Sequence, residues 1–262
     1  MPEWLQALVV GIVQGLTEYL PVSSSGHIEL AQAVLGYKAK DEAALSVILH
    51  LGTVLSTVVV LRAEIWRILR GLLQFKNNEE WQFSLRVVVS MIPAAVVGLL
   101  WESELEALFE GRIFLVGALM WLTAMLLYFA SQARKTERRV GYSEAIWMGL
   151  AQMVAILPGV SRSGSTIATA VILRVDKTQA AQFSFLMVVP LILGKIAKDL
   201  LDGKLNADVL TVEMLAGFLA AFLVGIVACR WMIGLVQRGR LIYFALYCAL
   251  VGSIAMLSSF FV

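Results

Sequence analysis

Charged residues are scarce in this 262-residue chain, where Asp, Glu, Lys and Arg together make up 15%. Hydrophobic residues make up 60%, and the mean hydropathy is +0.82. So little charge among so many apolar residues argues against a soluble globular protein and is typical of an integral membrane protein. The net charge is +2, and the basic residues form short clusters instead of one long run, which argues against nucleic acid as a partner.

Cysteine is also scarce, with two residues, Cys229 and Cys248, both in apolar segments and without metal-ligand spacing. We expect both to be small buried hydrophobic side chains. The first residues, MPEWLQ, lack a basic stretch, and no small-residue cleavage site follows. We therefore expect no removable signal peptide, so that the first hydrophobic segment is kept in the mature protein.

Six apolar segments have the length of a membrane crossing, which needs about 20 residues. They lie at about 43–61, 83–101, 113–130, 180–198, 211–229 and 241–261. Two further segments, 3–36 and 143–175, are broken by turns at Leu20-Pro21 and Pro158-Gly159 into pieces too short to cross. The sequence therefore predicts an all-α integral membrane protein with six transmembrane helices and two re-entrant helical hairpins. Such hairpins are tolerated at membrane depth where their turns line a cavity.

The two halves of the chain match each other at a constant offset of 138 positions. The matched pairs are Gly11 with Gly149, Gln14 with Gln152, Val22-Ser23 with Val160-Ser161, Ser25-Gly26 with Ser163-Gly164, and Ser46 with Ser184. Each half has one hairpin and three spans, and an odd number of crossings turns the second half over. We therefore predict one membrane domain, 1–262, built as an inverted-topology repeat of 1–131 and 142–262, with the two broken helix pairs meeting near the midplane.

Loop charge predicts the orientation, because cytoplasmic loops are rich in Lys and Arg. One side carries Arg62, Arg67, Arg70, Lys76, Arg134, Lys135, Arg138, Arg139, Arg230, Arg238 and Arg240. The other carries Lys38, Lys40, Arg112, Lys195, Lys198 and Lys204, beside the acidic residues Glu102, Glu104, Glu106 and Glu110. We expect both termini and the first hairpin to face the periplasm of a bacterial plasma membrane, and the second hairpin to enter from the cytoplasm.

Two similar motifs carry polar chemistry inside apolar sequence: GIVQGLTEYLPVSSSGH at 11–27 and GLAQMVAILPGVSRSGST at 149–166. Each places serines and a glycine at a predicted helix start, where free N–H groups attract phosphate. The candidate phosphate-binding residues are Ser23, Ser25, Gly26, Ser161, Ser163, Gly164 and Thr166. Arg162 adds a planar guanidinium that can bind phosphate through two hydrogen bonds. The alternative is that the serines only cap their helices.

Glu18 and His27 are ionisable groups at predicted membrane depth, where such groups usually mark a functional site. Glu18 shares a helix face with Gln14, four residues earlier, so the two are candidate ligands for Mg²⁺ or Ca²⁺. Glu18 is alternatively an acid or base, or a structural partner of Arg162. His27 follows Ser24 by three residues and is a candidate to take its proton. For His50, a packing or supporting role is the main expectation.

The two motifs strongly resemble those of the undecaprenyl-diphosphate phosphatase family of the bacitracin-resistance type, and the likeness covers essentially the whole chain. The resemblance implies a bacterial inner-membrane hydrolase. Such an enzyme removes the terminal phosphate of undecaprenyl diphosphate and so recycles the lipid carrier for peptidoglycan and other cell-wall glycans. It also implies dependence on a divalent cation and resistance to bacitracin, which sequesters the lipid substrate. A homodimer is left open.

Carried over by motif position, the resemblance implies catalytic roles for Glu18, Ser24, His27 and Arg162. The family's first motif often has two glutamates, and Gln14 stands at the position of the earlier one. We hypothesise that Ser24, activated by His27, attacks the terminal phosphorus, with direct attack by water as the competing route. Rival functions are a transporter or lipid flippase, since broken helices are also typical of transporters, and an envelope scaffold.

Overall fold

A computed structural model describes residues 1–39, 41–101, 113–134, 136–201 and 211–260. These residues form helices α1 (Glu3–Thr17), α2 (Ser24–Leu35), α3 (Glu42–Val60), α4 (Arg62–Leu72), α5 (Glu79–Leu100), α6 (Ile113–Ser131), α7 (Tyr142–Val154), α8 (Arg162–Ile172), α9 (Lys177–Leu201), α10 (Val212–Gln237) and α11 (Leu241–Ser258). The described part of the chain contains no strand. The predicted acidic run at 102–110, with Lys40, Arg112, Lys135 and Lys204, lies outside these ranges.

Six of the helices are long and apolar enough to cross a membrane: α3, α5, α6, α9, α10 and α11. Their bounds agree closely with the predicted spans at most ends. The largest difference is in α10, which continues to Gln237 although the predicted span ends at 229. Arg230 therefore lies within a helix and not in a loop. The chain is accordingly a multi-pass, all-helical membrane protein.

The prediction was wrong about residues 62–72, which were treated as loop but form α4. This helix is short and amphipathic: Arg67 pairs with Glu64, and Arg70 lies over the ring of Trp66. Its frequent charges hid a helical pattern that is too short and too polar to be a span. Asn78 fixes the end of α4 by donating to the carbonyl of Gly71 at 2.8 Å.

Two short helix pairs, α1–α2 and α7–α8, occupy the places of the predicted hairpins. Each first helix packs against a long helix of the opposite half, α1 on α10 and α7 on α5. Glycines permit these crossings. A Cβ added at Gly11 would lie 2.2 Å from the carbonyl oxygen of Gly217, and one at Gly149 would lie 2.5 Å from that of Ser90. The helix backbones therefore touch, which fixes α1 against α10 and α7 against α5.

The turn between α1 and α2 is fixed by contacts with two long helices. The hydroxyl of Tyr19 lies 2.5 Å from the carbonyl oxygen of Thr53 and 2.5 Å from the hydroxyl of Ser56, both on α3. The thiol of Cys248, on α11, donates to the carbonyl of Pro21 at 3.2 Å. Cys229 and Cys248 are both free and buried, which confirms their expected packing role.

Candidate active site

The two motifs meet at the carboxylate of Glu18, which is 8% exposed. Its Oε1 accepts a hydrogen bond from the guanidinium of Arg162, on α8. Its Oε2 accepts from the amide of Gln14 at 3.1 Å and from the hydroxyl of Ser24 at 3.2 Å. A buried carboxylate needs such partners, because an isolated charge in a low-dielectric interior is costly. Glu18 is therefore the residue that joins the first motif to the second.

A cavity of about 420 Å³ lies between the two turns. Its polar wall consists of Thr17, Glu18, Ser24, Ser25, Ser46, His50, Ser161, Arg162, Ser163 and Lys195. Apolar residues of α3 and α9, including Val47, Ile192 and Ile196, form another part of the wall. The cavity thus combines hydroxyls, basic groups and one carboxylate with an apolar surface. Such a lining suits a ligand that has an anionic head group and an apolar tail.

The start of α2 is strained at Ser23, whose φ of 71° lies in the left-handed region. A non-glycine residue in such a conformation costs of order 1–3 kcal/mol and is often found at functional sites. Ser23 makes no side-chain cap on α2. The alternative that the serines only cap their helices is therefore wrong for Ser23.

The start of α8 is capped in the ordinary way. The hydroxyl of Ser161 accepts from the N–H of Gly164 at 3.1 Å, and the N–H of Ser161 donates to Thr123 at 3.0 Å. The turn before it contains Gly159, at φ 91°, where an added Cβ would lie 2.4 Å from the carbonyl oxygen of Val116. For Ser161 the capping alternative is thus correct, although its side chain also lines the cavity.

The predicted phosphate-binding residues divide into two groups. Ser25, Ser161 and Ser163 line the cavity beside Arg162. The others, Ser23, Gly26, Gly164 and Thr166, do not line it. The hydroxyl of Thr166 donates to the carbonyl of Arg162 at 2.9 Å and lies 2.6 Å from Ser184, while the N–H of Gly164 caps onto Ser161. These two residues therefore shape the second turn instead of facing the cavity.

The structure does not place His27 as predicted. Its Nδ1 lies 2.8 Å from the carbonyl oxygen of Ser23, and its Nε2 lies 2.6 Å from the hydroxyl of Tyr247, on α11. Both ring nitrogens are thus occupied, and the imidazole stacks on the tyrosine ring outside the cavity wall. The hydroxyl of Ser24 faces Glu18 instead, so His27 is not in position to take its proton in this conformation.

His50 lines the cavity, although the sequence predicted mainly a packing or supporting role for it. Its Nε2 lies 3.8 Å from Oε2 of Glu18, and its side chain lines the cavity. The available signal was its spacing from Ser46, four residues earlier, because a helix places the two on one face. Ser46 belongs to the offset-matched set and also lines the cavity.

Together these features define a multi-pass membrane protein with a polar cavity between two pairs of short helices. The chain belongs to a family of membrane proteins described as bacitracin resistance protein BacA, whose model matches residues 7–254. It is 54% identical over 257 residues to an undecaprenyl-diphosphatase of Christiangramia forsetii, covering 97% of each chain. It is 45% identical over 262 residues to one of Bacteroides fragilis, covering 98% of each, and 37% identical over 271 residues to one of Methanobrevibacter smithii, covering 97% of each.

Proposed function

We propose that the chain is an undecaprenyl-diphosphate phosphatase. It hydrolyses undecaprenyl diphosphate to undecaprenyl phosphate and inorganic phosphate, which recycles the lipid carrier for peptidoglycan and other cell-wall glycans. Bacitracin, by sequestering this substrate, competes with the enzyme for it. The observation that carries the proposal is the contact of Arg162 with Glu18 in a cavity that also presents Ser24. The identity of the substrate is inferred from the names of the relatives.

The cavity suits the diphosphate for electrostatic reasons. Arg162 offers a planar guanidinium, and Lys195 and the hydroxyls of Ser25 and Ser163 add donors around it. Donors that are held in place before the reaction stabilise the charge that develops on a transferring phosphoryl group. The apolar wall at Ile192 and Ile196 gives the first part of the polyprenyl tail a surface to pack against.

Ser24 is the nucleophile in the route that we favour. Its hydroxyl lies 3.2 Å from Oε2 of Glu18, which makes the carboxylate the proton acceptor in place of His27. As Oγ bonds to the terminal phosphorus, the bond to the bridging oxygen breaks and undecaprenyl phosphate leaves. Water then hydrolyses the phosphoserine, releasing inorganic phosphate. In the competing route, water attacks the terminal phosphorus directly.

A divalent cation, Mg²⁺ or Ca²⁺, is proposed as the cofactor. Oε1 of Glu18 is held by Arg162, so Oε2 is the oxygen that can hold a cation, with Gln14 and Ser24 beside it. Among the described residues no three His, Cys, Asp or Glu side chains cluster. The residues present fit an Mg²⁺ site of the kind that has one or two carboxylate ligands, in which substrate phosphates complete the coordination shell. Such an ion supplies charge neutralisation on the phosphate oxygens.

We propose that α1–α2 and α7–α8 are re-entrant hairpins related by an inverted repeat. The packing supports this, because the first helix of each pair contacts a long helix of the other half: α1 packs on α10, and α7 packs on α5. The cavity is lined by the first half of α3 and the second half of α9. Successive spans run in opposite directions and the proposed re-entrant hairpins do not cross, so both of these half-helices lie on the same side of the membrane as the N-terminus. With basic loops on the other side, we infer an inner-membrane protein with periplasmic termini and a cavity open to the periplasm.

Labelling from outside intact cells tests this orientation. With Cys229 and Cys248 changed to Ala, Lys38→Cys is expected to react with a membrane-impermeant maleimide, and Lys76→Cys is expected to react only after the cells are broken. The reverse pattern would place the cavity on the cytoplasmic side.

The activity is tested by phosphate release from purified protein in detergent, with a C15 or C55 polyprenyl diphosphate. We expect release by the wild type and its loss with a chelator, restored by added Mg²⁺ or Ca²⁺. No phosphate release under any metal would refute the enzyme and favour a transporter or a lipid flippase.

A further inference from the structure

The orientation of His50 is fixed by its own helix. Its Nδ1 lies 2.8 Å from the carbonyl oxygen of Ser46. A carbonyl only accepts hydrogen bonds, so Nδ1 carries the proton, and in the neutral imidazole Nε2 presents a lone pair. His50 lines the cavity, and its Nε2 lies 3.8 Å from Oε2 of Glu18.

When the ring is neutral, Nε2 of His50 and Oε2 of Glu18 are two acceptors 3.8 Å apart, an arrangement that a cation bound between them would stabilise. The guanidinium of Arg162 is bound to Oε1 of Glu18, whereas Oε2 accepts from the uncharged side chains of Gln14 and Ser24. Histidines that bind metals almost always donate their other ring N–H to a carbonyl or carboxylate, as His50 does to Ser46. Glu18 and His50 are thus placed as two metal ligands, and the hydrogen bond that orients His50 is already made to Ser46.

The amide of Gln14 provides a second, independent sign of a missing partner. Gln14 is fully buried, its nitrogen donates to Oε2 of Glu18, and its Oε1 has no hydrogen-bond partner within the described part of the chain. A buried acceptor without a partner costs about 1–3 kcal/mol. An ion at Oε2 of Glu18 would let the same amide turn and satisfy that oxygen.

We propose that His50 Nε2 and Glu18 Oε2 are ligands to one divalent cation, with the amide oxygen of Gln14 as a further donor. This rests on the proposed function, since the cation serves the phosphatase. An imidazole nitrogen is a softer donor than oxygen, and it adds more to the binding of Mn²⁺ than of Mg²⁺ or Ca²⁺. The site is therefore expected to bind Mn²⁺ more tightly than Mg²⁺ or Ca²⁺, the two ions proposed above.

The chain has two histidines, which makes a decisive spectroscopic test possible. The full-length protein, freed of any histidine tag, is labelled with ¹⁵N-histidine and loaded with Mn²⁺ alone, and electron spin echo spectra are recorded. We expect coupling of ¹⁵N to the metal in the wild type and in His27→Ala, and its loss in both His50→Ala and His50→Gln. Losing this ligand should also weaken Mn²⁺ binding at least about tenfold, since even supporting residues cost 10- to 100-fold.

Absence of ¹⁵N coupling in the wild type would overturn the inference, and so would coupling that survives in both His50 variants. Phosphate release is measured on the same samples to separate this inference from the proposed function. Release without nitrogen coupling refutes the role of His50 and leaves the phosphatase standing. Nitrogen coupling without release upholds the ligand and refutes the phosphatase.

Discussion

The carboxylate of Glu18 accepts a hydrogen bond from the guanidinium of Arg162, 144 residues further along the chain. Each residue lies beside a turn that joins two short helices, and the two turns come from different halves of the protein. Breaking a buried pair of this kind by removing one partner usually costs 3–5 kcal/mol, because a charge is left without compensation. The contact therefore both assembles the cavity and places a cationic group where a phosphate can reach it.

The position of α1 depends on its close crossing with α10. We predict that Gly11→Ala lowers the thermal unfolding temperature in detergent, because the new Cβ would lie 2.2 Å from the carbonyl oxygen of Gly217. Overpacking of this kind costs about 1–3 kcal/mol. The matched control is Gly234→Ala on α10, where the added Cβ has no atom of another described element within 4 Å.

In that control, helix propensity favours alanine by about 1 kcal/mol. An equal response of the two variants would contradict the close crossing of α1 and α10.

A second carboxylate beside Glu18 should make the protein depend more strongly on the cation. Gln14→Glu puts two like charges in a fully buried place, where they repel each other unless a cation lies between them. We expect a lower unfolding temperature than wild type with chelator, and a larger rise on adding Mg²⁺, because ligands stabilise the folded state that binds them.

The control is Gln152→Glu, at the matched position of the second motif, where neither polar atom of the amide has a hydrogen-bond partner among the described residues. That variant should be destabilised without rescue by Mg²⁺. If Mg²⁺ raised the unfolding temperature of the two variants equally, Glu18 and Gln14 would not share a cation.

The role of Ser24 separates the two chemical routes. With substrate labelled by ³²P in the terminal phosphate, acid quenching should trap a phosphoserine in the wild type and none in Ser24→Ala. The matched control is Ser25→Ala, which removes a neighbouring hydroxyl of the same cavity and should still give the labelled adduct. Turnover by Ser24→Ala at near wild-type rate would establish direct attack by water.

Much of this architecture follows from hydropathy and local pattern alone. The six spans were predicted because a membrane helix must be about 20 apolar residues long, a requirement that leaves few alternatives. The turns were marked by Pro21 and by Gly159, and the latter proves to need a positive φ. What these patterns could not give is the direction of a side chain between helices distant in sequence.

The two histidines illustrate that limit. His27 lies in the serine motif, yet its ring turns outward to Tyr247, whereas His50 lies in an apolar run and faces Glu18. Nearness in sequence suggested the first and hid the second, because both choices depend on tertiary packing. The helix α4 was missed for a different reason, since hydropathy detects spans and does not detect a short helix of mixed polarity.

Arg162→Ala is the most direct test of the central claim, that the two motifs form one diphosphate site. In detergent, kcat/KM for a C15 polyprenyl diphosphate should fall about 100-fold or more, as expected for loss of a donor that stabilises transition-state charge. Arg162→Lys should also be impaired, because it keeps the charge without the planar fork. Arg67→Ala, which removes an exposed arginine of α4, should leave turnover unchanged. Near-normal turnover by folded Arg162→Ala would contradict the account.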